Sequence, residues 1–222
     1  MLIVHHLENS RSQRILWLLE ELSVPYEIKL YKRDPKTMRA PADLRAVHPL
    51  GKSPVVTDGA VTVAESGAIV EYLVETYGKG RLEPAAGSPD RLHYRYYLHF
   101  AEGSMMPPLL MKLVFTRLPA GVPGLIRPIA RAISDKALKT FVQPQIDQML
   151  VFLESELAGR DWFAGAEMTA ADIQMSFPLE GAAARGGLDA RFPRLKDWLA
   201  RIHARPAYKR ALERGGPYAL LS

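Results

Sequence analysis

The stretch VHPLGKSPVVTDGAVTVAESGAIVEYLVETY, residues 47–77, determines the predicted fold of the first third of the chain. It reads as a loop, a strand that follows Pro54, a tight turn at Asp58-Gly59, a second strand and a helix. An Asp-Gly pair between apolar runs predicts a β-hairpin, because both central residues of such a turn favour positive φ. The helix is predicted to begin at Glu65-Ser66-Gly67. Its unpaired backbone N–H groups and positive dipole end would favour an anionic group there.

The residues before this stretch predict two more strands and two helices. Residues 1–5 form a β-rich run, 11–22 carry leucine and isoleucine at helical spacing, 26–31 alternate as a strand, and 41–47 form a short helix. Asn9, Ser10 and Ser12 are all suitable N-cap residues, so the first helix is predicted to start among them. This order of elements predicts a mixed sheet with helices on both faces.

The remainder of the chain is predicted to be entirely helical. Residues 79–89 are rich in glycine, proline and alanine and are interpreted as a linker between a first domain, 1–78, and a second, 90–222. Helical patterns cover 91–114 and 137–157, and the prolines of LPAGVPGLIRP, residues 118–128, interrupt them. Thr169 and Asp172 form a capping box, and two more helices follow at 192–204 and 206–214.

Composition excludes several classes of function. The chain has 222 residues, 48% of them hydrophobic, and no cysteine, which excludes disulfides, thiolate metal sites and a cysteine nucleophile. The net charge is +5, but acids are interspersed and no aromatic-plus-basic motif occurs, so nucleic acid is not an expected partner. No membrane partner and no metal is expected. The residues at the amino terminus do not resemble a secretion signal, so a cytoplasmic location is expected.

Two segments, PLGKSPVV at 49–56 and AESGAIVEYL at 64–73, resemble the glutathione-binding half of cytosolic glutathione transferases. The resemblance, closest to the bacterial and fungal type, implies an N-terminal thioredoxin-like domain with a mixed sheet and an all-helical C-terminal domain. It also implies that Ser53, beside Pro54, brackets the cysteinyl unit of glutathione with its backbone. Glu65 and Ser66 would hold the γ-glutamyl end, and Lys52 the glycine carboxylate. Glutathione would be the co-substrate, with no other cofactor.

The reaction that the resemblance implies is attack of the glutathione thiolate on an electrophile. A free thiol has a pKa near ~8.5, so the site must stabilise the thiolate. Ser10 is the first candidate for a hydroxyl that donates to sulfur, because it lies where serine-type members carry theirs. Asn9, through its amide, is the second candidate, and Ser12 is better explained as a helix cap. His48 could touch the glycine end, although a surface-loop role is favoured.

The electrophile site is expected between the domains, lined by Leu7 and by the stretch 105–110, which begins with Met105 and Met106. Methionine adapts to varied apolar shapes. Glu102 and Ser104 lie on the same predicted helix, where a neighbouring subunit's glutathione would be reached in a homodimer. His5 and His6 must point to opposite faces of their strand.

Together these features predict a glutathione transferase that conjugates small hydrophobic electrophiles, with peroxide reduction as a side activity. The alternative is a non-catalytic protein of the same fold that binds glutathione or an apolar ligand.

Overall fold

A four-stranded mixed sheet forms the centre of the first third of the chain, in a computed structural model that describes residues 1–34, 37, 39–216 and 218. The strands are β1 (Leu2–Leu7), β2 (Glu27–Tyr31), β3 (Val55–Asp58) and β4 (Val61–Ala64). Their order in the sheet is β2-β1-β3-β4. β1 runs parallel to β2, whereas β3 is antiparallel to both β1 and β4.

The predicted hairpin is present, but its turn lies one residue later than expected. Asp58 pairs with Val61, so the two loop residues are Gly59 and Ala60 rather than Asp58 and Gly59. Gly59 has a φ of 59°, and neither Asp58 nor Ala60 has a positive φ. A hairpin turn that needs positive φ only at its first central position is best served by glycine there, which explains the shift.

Three helices cover the two faces of the sheet: α1 (Ser12–Leu22), α2 (Ala42–Val47) and α3 (Ser66–Tyr77). α1 and α3 pack on one face within the main hydrophobic core. On the other face, Leu44 of α2 forms a small separate cluster with Leu7 and Tyr31. The helix begins at Ser12, within the predicted interval of residues 9–12, but its N-cap is Arg11 and not Asn9, Ser10 or Ser12. Asn9, in the turn before the helix, has a φ of 50°.

In the described residues after α3, seven α-helices follow: α4 (Pro89–Phe100), α5 (Met106–Arg117), α6 (Arg127–Ala137), α7 (Gln143–Glu156), α8 (Ala170–Gly181), α9 (Pro193–Ala204) and α10 (Pro206–Gly215). π-helical turns at Ala101–Met105 and Leu138–Val142 join α4 to α5 and α6 to α7. The long helix that α6 and α7 form together begins at residue 127, ten residues before the predicted start at residue 137. Pro128 occupies its first turn, where the missing N–H costs no hydrogen bond, so this proline starts a helix instead of interrupting one.

The predicted fold class is confirmed, since a mixed-sheet part precedes an all-helical part. The exact domain boundaries stay a prediction, and α4 begins at Pro89, inside the predicted linker. Residues 217 and 219–222 of the predicted helical domain lie outside the described residues. Among the helices of the described residues, none combines the length and the apolar character required to cross a membrane.

Candidate active site

The strand register brings three chain segments to one end of the sheet. His5 of β1 pairs with Val55 of β3, and Val55 pairs with Ala64 of β4. Because β3 runs antiparallel to both neighbours, its start lies beside the ends of β1 and β4. The segment after β1, the Ser53–Pro54 bond, which is cis, and the start of α3 therefore lie close together.

A series of buried hydrogen bonds links Ser10, near the start of the chain, to Gly215 in the last helix, α10. The hydroxyls of Ser10 and Ser12 lie 2.7 Å apart. Ser12 Oγ lies 2.8 Å from His6 Nδ1, and His6 Nε2 lies 3.0 Å from the carbonyl oxygen of Gly215 in α10. Ser10, Ser12 and His6 are all buried. This polar network therefore holds the start of α1 against α10.

The chemistry of these groups determines the direction of the hydrogen bonds. The Gly215 carbonyl only accepts, so His6 Nε2 must carry a proton. Burial lowers the pKa of His6, which favours neutral imidazole with an accepting Nδ1. Ser12 has one hydroxyl proton and two acceptors in reach, His6 Nδ1 at 2.8 Å and the Leu7 carbonyl at 3.3 Å. With its proton on either acceptor, preferably the nearer His6, Ser12 can only accept from Ser10, so Ser10 donates to Ser12. The Ser10 hydroxyl proton points toward Ser12 in this arrangement, and the Ser10 oxygen accepts a hydrogen bond from the Ser12 N–H at 3.2 Å.

Ser53 uses its side chain to hold the loop against β1. Its hydroxyl donates to the His5 carbonyl at 2.9 Å and accepts the Leu7 N–H at 3.2 Å. The neighbouring Lys52 is exposed, whereas Pro54 is buried. The loop therefore has a fixed inner side and a cation on its outer side.

The start of α3 presents one exposed and one buried residue to the same region. Glu65 precedes the helix with a φ of 70° and is exposed. Ser66 is the first helical residue and only 4% exposed. The twelve-residue helix directs its first N–H groups toward this end of the sheet.

Glu102 connects the two parts of the protein through an ion-pair cluster. Arg11 Nε donates to both of its carboxylate oxygens at 3.0 Å, and Arg14, which also donates to the Gln174 carbonyl, binds it from the interior. Burial by itself would raise the pKa of Glu102, but the two guanidinium groups outweigh it and hold this pKa below its usual value. Glu102 thus stays ionised beside the start of α1.

A cavity of about 610 Å³ opens between the β1–α1 connection and the helices α5 and α8. Its lining combines apolar residues of α5 and α8 with several charged side chains. The lining residues are Glu8, Asn9, Arg11, Arg33, Met106, Leu109, Leu110, Lys112, Leu113, Arg117, Phe177, Gly181 and Arg185. This volume suits a small organic molecule.

Comparison with known proteins identifies the family. A family model described as the glutathione S-transferase N-terminal domain matches residues 10–76, and one described as the C-terminal domain matches residues 113–206. Glutathione S-transferase 3 of Schizosaccharomyces pombe is 38% identical over 215 residues, which are 96% of this chain and 88% of that protein. The chain belongs to the glutathione S-transferase family. Glutathione S-transferase 1 of Saccharomyces cerevisiae is 32% identical, over 95% of this chain and 94% of that protein.

Solved structures of glutathione S-transferases share the fold. A glutathione S-transferase from Actinobacillus pleuropneumoniae has a TM-score of 0.81 at 32% identity, covering 100% of this chain and 96% of that one. A sphingomonad glutathione S-transferase complexed with glutathione has a TM-score of 0.71 at 27% identity, covering 96% and 98%. The chain is therefore a glutathione transferase, as the sequence predicted, with glutathione as its substrate.

The transferase fold brings most of the predicted site residues to one region. The predicted glutathione ligands Ser53, Pro54, Glu65 and Ser66 lie around the same end of the sheet as Ser10 and Asn9. His48 is half-buried in the loop after α2. The roles of all these residues, and of Lys52, toward a bound tripeptide stay predictions.

Two residues predicted for the electrophile site of this transferase lie elsewhere. Met105 is completely buried and packs in the main core, and Leu7 belongs to the small cluster beneath α2. Helical spacing did not reveal which of two adjacent methionines faces the cavity, and only Met106 does. Glu102 contacts Arg11 and Arg14 of its own chain.

Several lining residues of the cavity were missed by the sequence analysis. Phe177 lies under the Arg11 guanidinium at 5.3 Å from its ring centre, and Lys112 and Arg185 extend the wall. No sequence signal pointed to them, because they come from helices whose mutual packing is a tertiary feature. Among the described residues, no group of three or more histidine or acidic side chains is arranged to hold a metal ion.

Proposed function

We propose that this transferase conjugates glutathione to small electrophiles with an apolar body, and that Ser10 stabilises the thiolate. The observation that supports this proposal is the cavity beside Asn9 and Arg11, whose lining includes apolar residues of α5 and α8. In the reaction with an aryl halide, the sulfur forms a bond to the ring carbon. The carbon–halogen bond breaks, halide leaves with the electron pair, and the thiol proton goes to solvent.

The direction of the Ser10 proton, toward Ser12, adds a step to this proposal. To donate to sulfur, the Ser10 hydroxyl must rotate away from Ser12, 2.7 Å away. A thiolate is charged, and hydrogen bonds to charged acceptors are stronger than those between neutral hydroxyls. Thiolate formation thus favours the rotation. Asn9, which lines the cavity, is the alternative donor. Its amide would donate to sulfur without first breaking a hydrogen bond to Ser12.

The experiment compares Ser10→Ala, Asn9→Ala and a surface control, Ser155→Ala, with 1-chloro-2,4-dinitrobenzene as acceptor. Loss of a hydrogen bond to a charged group costs roughly 1.5–3 kcal/mol, so we expect Ser10→Ala to lower kcat/KM about 10- to 150-fold. The pKa of bound glutathione, followed by thiolate absorbance, should rise by one unit or more. If only Asn9→Ala has these effects, Asn9 is the donor. If neither variant does, both assignments are wrong.

The family result favours an enzyme over the non-catalytic binding protein. We further propose a side activity in which two glutathione molecules reduce an organic hydroperoxide, giving the disulfide, an alcohol and water. A coupled assay that follows glutathione disulfide tests it.

We also propose that the transferase is a cytoplasmic homodimer. The proposed location follows from its substrate, since reduced glutathione is abundant in the cytosol. The dimer proposal rests on the resemblance to cytosolic glutathione transferases. Light scattering after size-exclusion chromatography would return about one chain mass, 24.8 kDa, if the dimer proposal is wrong.

A further inference from the structure

The cavity beside Ser10 is strongly cationic as well as apolar. One acidic residue, Glu8, lines it against five basic ones, and the basic residues are Arg11, Arg33, Lys112, Arg117 and Arg185. Apolar acceptors alone do not require such a surplus of positive charge. The surplus indicates that the second substrate itself carries negative charge.

The position of the cations separates them into two groups. Arg11 pairs with Glu102, and Arg33 donates to the Asn9 carbonyl, so both lie at the end near the proposed thiol position. Lys112 and Arg117 come from the second half of α5, and Arg185 comes from the π-helical turn Ala182–Gly186 that follows α8. In the part of the chain that the structure describes, none of these three forms an ion pair with a carboxylate. The Lys112 ammonium donates to the amide oxygen of Gln143 at 2.5 Å.

Lys112 is the innermost of the three cations. Its side chain is half-buried, and burial lowers its pKa, which Asp147 opposes only in part. A cation in this situation gains when a ligand supplies an anion, because the ligand's charge offsets the lost hydration. Arg117 and Arg185 are exposed, and their positive charges would add to the attraction of an anionic ligand.

An apolar surface connects the two ends of the cavity. Phe177, Gly181 and Arg185 follow one another at four-residue spacing along α8 and its π-helical extension, so they share one face. Gly181 has no side chain and leaves room there. On α5, the six-residue step from Met106 to Lys112 corresponds to about 9 Å along the helix axis, which is the length of a substituted benzene ring.

We propose that the acceptor substrate is an apolar electrophile that carries a carboxylate, bound with its body against Leu109, Leu113 and Phe177 and its carboxylate against Lys112 and Arg185. The electrophilic carbon then lies toward Asn9 and Arg11, the two lining residues that flank Ser10 in the sequence. This inference rests on the proposed function, since it names the substrate class of the same cavity.

The test compares 4-chloro-3,5-dinitrobenzoate with its methyl ester. The two acceptors share the leaving group and the activating nitro groups and differ in charge. Each enzymatic kcat/KM is divided by the rate constant of the uncatalysed reaction with glutathione, which removes the difference in intrinsic reactivity. We expect the acid to be preferred about tenfold at low salt, and this preference to shrink as added salt screens the exposed arginines.

A double variant, Lys112→Gln with Arg185→Gln, should reduce the acid-to-ester ratio about tenfold, to near one. The control Lys136→Gln with Lys139→Gln, which removes the same two charges at exposed positions outside the cavity, should keep the ratio of the unaltered protein. A ratio near one in the unaltered protein, or one that the double variant leaves unchanged, overturns the inference.

A binding measurement separates this inference from the proposed function. 3,5-Dinitrobenzoate has no leaving group, so calorimetry reports its binding without turnover. If neither chlorinated acceptor reacts faster than in buffer, the proposed function fails. Selective binding of 3,5-dinitrobenzoate over its methyl ester, lost in the double variant, would then still support the carboxylate site, and equal or absent binding of both would overturn it.

Discussion

Replacement of Glu102 by glutamine should destabilise the protein, because Glu102 neutralises a completely buried arginine. The Arg14 side chain is 1% exposed, and that of Glu102 is 32% exposed. Glutamine has nearly the same shape but no charge. The Arg14 guanidinium would keep its hydrogen bond to the Gln174 carbonyl, 2.6 Å away, and lose its carboxylate.

The magnitude follows from the burial of the two partners. Removing one partner of a fully buried ion pair costs roughly 3–5 kcal/mol. Because Glu102 is one-third exposed and the glutamine oxygen still accepts a hydrogen bond, we expect the lower figure of about 2–3 kcal/mol in the free energy of unfolding. For a chain of this size that corresponds to a fall in Tm of roughly 4–12 °C.

Urea unfolding at several pH values, followed by tryptophan fluorescence, measures this difference. The lowered pKa of Glu102 means that its ionised form contributes stability above the ordinary value of 4.5. That contribution is lost as the pH falls through the lowered pKa of the folded state. The gap between the unaltered protein and Glu102→Gln should therefore be full at neutral pH and shrink below pH 4.5.

Asp189→Asn provides the matched control, because it removes one carboxylate charge from an exposed pair. Asp189 and Arg191 have side chains 53% and 61% exposed, and such pairs contribute little. If Glu102→Gln and Asp189→Asn unfold at the same urea concentration at pH 7, Arg14 does not depend on Glu102 and the reasoning is refuted.

Two further stability predictions use the same unfolding assay. Asp172→Ala should lower the free energy of unfolding by at least ~3 kcal/mol, because it leaves buried backbone and indole N–H donors without an acceptor, and each such donor costs roughly 1–3 kcal/mol. Thr169→Ala should lower it by only about 1 kcal/mol. Equal losses in the two variants would contradict the capping-box account. Gly215→Ala should cost roughly 1–3 kcal/mol, since its Cβ would lie 2.5 Å from Gln13 Oε1. Gly103→Ala, with no atom within 4 Å of its Cβ, should be tolerated, and a comparable loss there would argue against steric overlap at Gly215.

Local patterns were sufficient for most of the secondary structure. The hairpin after Pro54, the start of α3 at Ser66 and the capping box at Thr169 depend on residues close in sequence, and all three are present in the structure. The errors in secondary structure arose at residues whose type is compatible with two different positions in a turn or a helix. Gly59 fits either central turn position, and Pro128 fits both a helix interruption and a helix start.

The site itself was only partly accessible from the sequence. The segments around Ser10, Ser53 and Glu65 were recognised through their short-range motifs, and their proximity follows from the strand register. The choice between Met105 and Met106 required the packing of α5 on α8. The cationic wall was missed entirely, because Lys112 and Arg185 are 73 residues apart in the numbering and neither has a local signature.

The sequence by itself therefore determined the order of elements in residues 1–78, the family and the location of the family-like segments at 49–56 and 64–73, since these depend on neighbours along the chain. Only the tertiary structure decided that Ser10 donates to Ser12, in a network that ends at Gly215, 209 residues away from His6. It also decided which side chains surround the acceptor cavity. The physical reason is that hydrogen-bond direction and local charge depend on which groups are brought within a few ångströms, and folding determines that between distant segments.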